Sequence, residues 1–289
     1  MRFGSFEITS QFEIEGGGSD ALATNSEGKE VRLWIGAPGR TTGADGAGPD
    51  GLRAVLAKVY HSSLPRVLAA DVVEDRAVLV VQPYQGVTLA EHLDRLSDPE
   101  ETSAVLDRTR TLAAALVKAH RNGVVHGALD GRSVFLADDG RHLLLHVGFG
   151  AFLEERAAPG PHDTDAAAAD VFGLSRLLVR SLAGADSQTP QSPDASAPLP
   201  PRPPESFPPH LPEGLRRLLS RAMDPDPARR LRYAEELTGD LSVIRSSWDS
   251  MNASPSPSLV PVALVARGGA VLAALAVLAV LVILVVRGC

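Results

Sequence analysis

Cysteine and lysine are the residues that this 289-residue chain has least of. Its one cysteine is Cys289, which excludes an intrachain disulfide and a cysteine-built metal site. Lysine occurs three times, at Lys29, Lys58 and Lys118, against 25 arginines. Aromatic residues make up 4% of the chain, so aliphatic side chains must fill its core. The net charge of −7 argues against a general nucleic-acid-binding role.

One long apolar run stands out near the end of the chain. Residues 268–286 consist only of Gly, Ala, Val, Leu and Ile, with Arg267 before them and Arg287 after them. As a helix this run would reach roughly 28 Å, which matches the hydrocarbon core of a bilayer. The sequence therefore predicts a tail anchor over 259–287, with a transmembrane helix at 268–286 and a Ser/Pro linker at 245–258. No signal peptide is evident at Met1, so we expect a single-pass membrane protein whose N-terminal domain lies in the cytoplasm.

The remaining residues, 5–244, begin with strand patterns and continue with helical ones, which indicates an α+β domain. Strands are predicted within 5–36 and at 67–70, 77–81, 134–136 and 143–146. Helices are predicted at 52–60, 88–96, 103–122, 165–182, 215–223 and 233–244. Proline is concentrated between 190 and 212, where we expect an extended loop.

Several short segments appear in an order that resembles a protein kinase. The run from Ala119 to Leu136, with His126-Gly127-Ala128 at its centre, resembles the kinase catalytic loop. Gly148-Phe149-Gly150 resembles the kinase Asp-Phe-Gly motif, and residues 79–89 resemble the kinase hinge and the start of the helix after it. Residues 170–174 resemble the start of a later kinase helix, and residues 224–230 resemble an Asp-Pro segment near the end of the kinase domain. This resemblance to bacterial-type Ser/Thr kinases implies a small β-rich N lobe, a larger helical C lobe and phosphoryl transfer as the ancestral activity.

Phosphoryl transfer needs a lysine for the phosphates, metal ligands and a carboxylate near the attacking hydroxyl. In this sequence the corresponding positions hold other residues. They are Trp34 for the strand lysine, Val55 for its helix glutamate, Ala128 for the catalytic aspartate, and Ser133 and Gly148 for the metal ligands. The resemblance therefore implies a pseudokinase with no catalytic residues, no metal site and no cofactor.

Nucleotide binding without transfer stays open at this point. Gly16 and Gly17 match the middle of the glycine-rich loop, while Ile14 and Ser19 occupy its outer glycine positions. Backbone groups near Gln82 and Tyr84 would serve adenine at the hinge. Trp34 is expected to point into the cleft and fill part of the nucleotide site. Arg32 is expected on the opposite face of the strand from Trp34.

Several residues have both a functional and a structural interpretation. Asp130, two positions after Ala128, is either a relocated base or a loop residue, and we favour the loop role. We expect Asp138-Asp139-Gly140 to form a hairpin turn, and His142 and His146 to lie on a strand without binding metal. His126, Phe149, Gly150 and Asp170 are expected to hold the loop and core together. Ala158-Pro159-Gly160 resembles the family's Ala-Pro-Glu segment without its glutamate.

The function predicted from the sequence is a membrane-tethered pseudokinase that acts as a signalling scaffold or regulatory binding module. Its partners are the membrane and a signalling protein, with a homodimer through small residues of the anchor left open. The alternatives are an atypical Ser/Thr kinase with relocated catalytic groups and a nucleotide sensor that works without metal.

Overall fold

The computed structural model of the chain describes residues 1–14, 16–43, 46–96, 98–127, 129–153, 164–183 and 203–252. The chain divides into two compact units, Met1–Trp248 and Asp249–Cys289. The first unit contains the predicted domain. Of the second unit, only residues 249–252 are described.

A curled antiparallel sheet forms the N-terminal lobe of the first unit. Its six strands are β1 (Arg2–Phe3), β2 (Phe6–Ile14), β3 (Gly18–Thr24), β4 (Glu30–Ile35), β5 (Val67–Val73) and β6 (Arg76–Val81), in the order β1-β2-β3-β4-β6-β5. Helix α1 (Pro49–Leu56) packs against β5 and β6. Alternating apolar residues place one face of this sheet against the cleft and give the other face its own small core. The predicted strands in this region are confirmed.

Helices dominate the C-terminal lobe, as predicted. They are α2 (Leu89–Arg95), α3 (Thr102–Arg121), α4 (Thr164–Ala183), α5 (Glu213–Ala222) and α6 (Ala234–Asn252). A small sheet of β7 (Gly86–Thr88), β8 (Val134–Ala137) and β9 (His142–Leu144) lies beside them, and residues 138–141 form the predicted hairpin turn. Leucine and valine side chains of α3, α4, α5 and α6 fill one large core. The fully buried Leu116, Leu215 and Leu237 lie at its centre.

Three boundaries differ from those predicted. The helix expected at 52–60 spans Pro49–Leu56, since proline suits the first helical turn. The last helix continues past Ile244 to Asn252, so the first eight residues of the predicted linker are helical. Ser246 and Ser247 donate side-chain hydrogen bonds to the carbonyls of residues four positions earlier, which satisfies their hydroxyls inside a helix.

The third difference is at the end of β9. This strand ends at Leu144, and His146, two residues later, has a φ of 60°, which is outside the range of regular strand backbone. His146 therefore does not lie on the predicted strand.

Some predictions fall on residues that the structure does not describe. They are the transmembrane helix 268–286, the linker from 253 to 258, Ala128, the segment Ala158-Pro159-Gly160 and residues 190–202 of the proline-rich stretch. Within the described ranges, none of the helices combines the length and the apolar character that membrane crossing requires.

Candidate functional site

Several of the residues that the sequence singled out lie where the two lobes meet. Trp34, at the strand-lysine position, points into this cleft from β4 and is 2% exposed. Its ring packs edge-on against His146, with 4.9 Å between centroids, and lies 6.0 Å from the Phe149 ring. The Trp34 ring therefore packs between the N-lobe sheet and the segment that follows β9.

A buried polar network surrounds Trp34. The indole Nε1 donates a hydrogen bond to Tyr84 Oη at 3.1 Å, and Tyr84 Oη donates to Asp20 Oδ2 at 2.5 Å. His146 Nε2 lies 3.1 Å from the same oxygen. An ionised carboxylate can only accept, so the ring nitrogen is the donor. Asp20 lies on β3, Tyr84 follows β6 and His146 follows β9, so one buried carboxylate connects both lobes.

Arg32 completes this network, which corrects the expectation that it points away from Trp34. Residues two positions apart on a strand share a face, and the expectation had overlooked this rule. Arg32 Nη1 donates to Asp20 Oδ1 at 2.8 Å, and Nε donates to the Tyr84 carbonyl at 3.4 Å. Its guanidinium lies 4.5 Å from the Tyr84 ring centroid, a cation–π distance.

The Tyr84 side chain is buried where the two lobes meet. Its ring packs against the Arg32 guanidinium of β4 and against Phe135 of β8, 5.0 Å away between centroids, and the guanidinium lies 5.9 Å from the Phe135 ring centroid. This space lies directly inside the segment that resembles the kinase hinge. Because the side chain is enclosed, burial raises the pKa of Tyr84 well above its usual value, and the charge of Asp20 raises it further. The phenol therefore remains protonated and can donate to Asp20.

Some backbone groups of the hinge segment, which were predicted to be able to bind adenine, already form hydrogen bonds within the chain. The Gln82 amide donates to the Arg66 carbonyl at 2.9 Å, and the Tyr84 carbonyl accepts the bond from Arg32. Both candidate residues thus make internal contacts at the cleft.

The candidate glycine-rich loop is a tight turn between β2 and β3. Gly16 and Gly17 have φ values of 93° and 77°, which glycine tolerates readily. The backbone of the next residue, Gly18, is packed closely against its neighbours. An added Cβ there would lie 2.3 Å from Leu153 Cδ2 and 2.9 Å from the Ile35 carbonyl. Leu153 lies shortly after Gly148-Phe149-Gly150, so a C-lobe side chain packs directly under this turn.

Gly148, at the position of the metal-binding aspartate, has apolar neighbours. A Cβ there would lie 2.8 Å from Leu52 Cδ1 and 2.9 Å from Val124 Cγ1, and its φ is 74°. Leu52 is thus the α1 side chain nearest this position, while Val55 packs against the core of the C lobe. Both α1 residues are apolar, so neither supplies a carboxylate.

Asp130 and Ser133 are bonded to one another within the catalytic-loop segment. Asp130 Oδ1 accepts hydrogen bonds from the amides of Arg132 at 2.9 Å and Ser133 at 3.0 Å, and from Ser133 Oγ at 3.1 Å. The single Ser133 hydroxyl hydrogen is shared between this oxygen and the Asp130 carbonyl, which lies 2.9 Å from Oγ, and Oγ accepts from the Asp130 amide at 2.8 Å. These bonds give Asp130 the loop-stabilising role that the sequence favoured over a relocated base.

Asp170 holds the other end of this loop. Its side chain is fully buried in α4 and accepts hydrogen bonds from the His126 amide at 2.7 Å and the Gly127 amide at 2.8 Å. His120 Nε2 lies 2.9 Å from the same carboxylate. Burial lowers the pKa of His126, although the charge of Asp170 opposes this shift. Asp170 therefore has the predicted structural role.

An open cavity of about 500 Å³ remains in front of the buried network. Its lining residues come from β2, β7, α2 and the catalytic-loop segment, and include Phe12, Glu13, Glu91, Asp130 and Arg132. Over the described residues, no group of three or more His, Cys, Asp or Glu side chains is arranged to hold a metal ion. His142 lies on β9, whereas His146 contacts Asp20.

Three residues of the buried network were not predicted to belong to it: Asp20, Arg32 and His146. One signal could have identified the first two. Each is a charged residue inside a strand whose other residues are mostly buried. Asp20 is negative and Arg32 is positive, and they lie on the neighbouring strands β3 and β4. Such residues are buried mainly as pairs. No comparable sequence signal marks His146.

Comparison with known proteins supports the fold that this geometry indicates. No protein-family model matches the chain, and no curated protein matches it by sequence. Among solved structures, it is similar to a mutant form of the Mycobacterium tuberculosis PknI kinase domain, with a TM-score of 0.64 and 20% identity over 84% of this chain and 97% of that one. The PknI kinase domain itself gives a TM-score of 0.60 and 19% identity, with the same coverage. The chain therefore has a protein-kinase-like fold.

Proposed function

We propose that this chain is a pseudokinase that performs no phosphoryl transfer and serves as a scaffold or regulatory binding module at a membrane. The observation that carries this proposal is the Tyr84 ring, which is buried against Arg32 and Phe135 where the two lobes meet. A side chain bonded to Asp20 and Trp34 takes the space that a nucleotide base would need.

The replaced catalytic positions support the same proposal. Trp34 cannot hold phosphates, Gly148 has no side chain to bind metal, and Asp130 is engaged within its own loop. Losing one such group slows phosphoryl transfer greatly, and the loss of several leaves no assembled catalytic site.

Membrane tethering is the part of the proposal that rests on the sequence. The apolar run at 268–286 would anchor the chain and keep the kinase-like domain at the cytoplasmic face. Tethering raises the effective concentration of the domain near other membrane proteins, so a weak affinity for a signalling partner would suffice.

The test is a thermal unfolding titration of the full chain with ATP, with and without Mg²⁺ or Mn²⁺. Trp34 lies in the cleft, so its fluorescence, read in a Trp248→Phe background, reports unfolding at the site in question. We expect no change in melting temperature at millimolar ATP, whereas a nucleotide at a hundred times its Kd would add about 2.7 kcal/mol. A Tyr84→Ala variant titrated with p-cresol, which replaces the missing side chain, serves as the positive control for binding in the cleft.

Either kind of shift would overturn the proposal in a defined way. A metal-dependent shift, followed by phosphate transfer that Asp130→Ala abolishes, would identify an atypical kinase. A metal-independent shift without transfer would identify a nucleotide sensor.

A further inference from the structure

The buried carboxylate of Asp20 connects elements of both lobes. Asp20 lies on β3 of the N-lobe sheet, and its Oδ1 accepts a hydrogen bond from Arg32 of β4. Its Oδ2 accepts from Tyr84, which follows β6, and lies 3.1 Å from His146 Nε2, in the segment after β9. Each of the four residues is at most 8% exposed, so water competes little for these bonds.

Apolar side chains of both lobes form one core around this network. Trp34 and Leu79 come from the N-lobe sheet, whereas Leu145 and Phe149 come from the segment that follows β9. All four are almost completely buried. Separating the lobes would expose these side chains to water, so the hydrophobic effect also keeps the lobes together.

The backbone of His146 is held in an unfavourable conformation. Its φ of 60° lies in the left-handed region, which residues other than glycine adopt rarely. Such a conformation persists only where surrounding contacts fix it. The ring is fixed by its contact with Asp20 and by the Trp34 ring, 4.9 Å away between centroids. The contacts that His146 makes with the N lobe therefore outweigh the cost of its backbone conformation.

Two-lobed proteins commonly close around a ligand that bridges their lobes. We propose that in this chain the Asp20–His146 contact and the shared core take the place of such a ligand and hold the two lobes in one fixed arrangement. Binding of a signalling partner then needs no nucleotide or other small ligand. This inference rests on the proposed function, because only a binding module has a partner to which a fixed arrangement of the lobes is presented.

Hydrogen exchange of the full chain tests the fixed arrangement. The Ala37 amide, two residues past β4, donates to the Phe152 carbonyl at 2.9 Å, so its hydrogen exchanges only when this contact between the lobes opens. The amide of Leu116, inside α3, reports opening of the C lobe itself. We expect the Ala37 amide to exchange nearly as slowly as the Leu116 amide, equally with and without millimolar ATP.

Substitutions of His146 test whether its side chain holds the lobes together. His146→Ala loses a bond to a buried carboxylate, so exchange at Ala37 should become about tenfold faster or more, and exchange at Leu116 should change less. His142→Ala is the matched control, because it removes a histidine of β9 that lies outside the network, and it should leave exchange at Ala37 near wild type.

A glycine at the same position separates the side-chain contact from the backbone conformation. His146→Gly removes the same ring as His146→Ala, but glycine adopts a φ of 60° without penalty. We expect exchange at Ala37 to be fast in both variants. Wild-type exchange at Ala37 in His146→Gly would show that the ring does not hold the lobes together, and would overturn the proposal.

The same measurements distinguish failure of this inference from failure of the proposed function. Fast exchange at Ala37 in the wild-type chain without ATP would overturn the fixed arrangement. If ATP then slowed this exchange, the proposed function would fail as well, because a nucleotide would be joining the lobes. Slow exchange at Ala37 without ATP, together with a rise in melting temperature on adding ATP, would contradict the proposed function alone.

Discussion

Trp34 Nε1 donates a hydrogen bond to Tyr84 Oη at 3.1 Å, although the two residues are 50 positions apart in the chain. Both side chains are buried where the two lobes meet. Asp20 then accepts from Tyr84 and His146, so the contact extends into the C lobe. These interactions join the two lobes behind the open cavity, and substitutions at these residues test what the interactions contribute.

Replacing Tyr84 by phenylalanine should destabilise the domain while leaving the ring in place. The variant loses the bond to Asp20 and leaves the Trp34 N–H without this acceptor, at an expected cost of about 2–3 kcal/mol. Urea unfolding followed by circular dichroism measures the loss. Tyr60→Phe is the matched control, since Tyr60 is 84% exposed and its variant should unfold like wild type. An unchanged midpoint for Tyr84→Phe would contradict the stabilising role of these bonds.

Raising the pH into the alkaline range should destabilise the folded domain by deprotonating Tyr84. Burial and Asp20 raise its pKa above the ordinary 10.0, so the folded state holds this proton more tightly than the unfolded chain. The resulting stability is fully present below about pH 10 and is lost as pH rises towards the higher folded-state pKa.

The chain has three tyrosines, so the absorbance difference between wild type and Tyr84→Phe isolates one tyrosinate. We expect this difference signal to appear only well above pH 10, together with unfolding. A signal that develops near pH 10 in the folded protein would show that Tyr84 is accessible to solvent.

Restoring an aspartate at position 148 should not restore metal binding. A side chain at Gly148 meets Leu52 and Val124 at less than 3 Å, so Gly148→Asp should be overpacked by about 1–3 kcal/mol. Gly140→Asp is a matched control, because Gly140 also has a positive φ, 84°, but an added Cβ there has no neighbour within 4 Å. The difference between the two unfolding free energies therefore isolates the packing cost. Equal stabilities, or Mg²⁺ binding by calorimetry, would contradict this account of the site.

Asp170→Ala should loosen the catalytic-loop segment. The variant removes the acceptor of two backbone amides, and bonds to charged acceptors contribute about 1.5–3 kcal/mol each. We expect a loss of about 3 kcal/mol or more in unfolding free energy, and faster hydrogen exchange at the amides of His126 and Gly127. Asp165→Ala, which removes an exposed carboxylate of the same helix, should leave both quantities near wild type. Slow exchange at both amides in Asp170→Ala would show that other contacts hold the loop.

The main elements of the fold were predictable because their signals are local. Alternating apolar residues marked β2, a short run after turn residues marked β4, and the spacing of apolar residues marked α3. Helix ends were less predictable. The serines after Ile244 resemble a linker in sequence, yet they satisfy their hydroxyls within the helix.

The candidate site was predictable only in part. Trp34, Ser133 and Gly148 were identified because motif positions are read from the order of residues along the chain. The positions of Tyr84 and Arg32 were not, since a hydrogen-bond partner 50 or more residues away leaves no periodic signal. The expectation for Arg32 was wrong for a simpler reason, because residues two apart on a strand share a face.

The sequence by itself determined the order of strands and helices, the segments that resemble kinase motifs and the apolar run at 268–286, because each of these depends on residue type and spacing. Only the tertiary structure decided what occupies the cleft. Buried charge must be paired, and the pairing of Asp20 with Arg32, Tyr84 and His146 exists only once two sheets and the hinge come together. That three-dimensional pairing is what holds the Tyr84 ring where the two lobes meet.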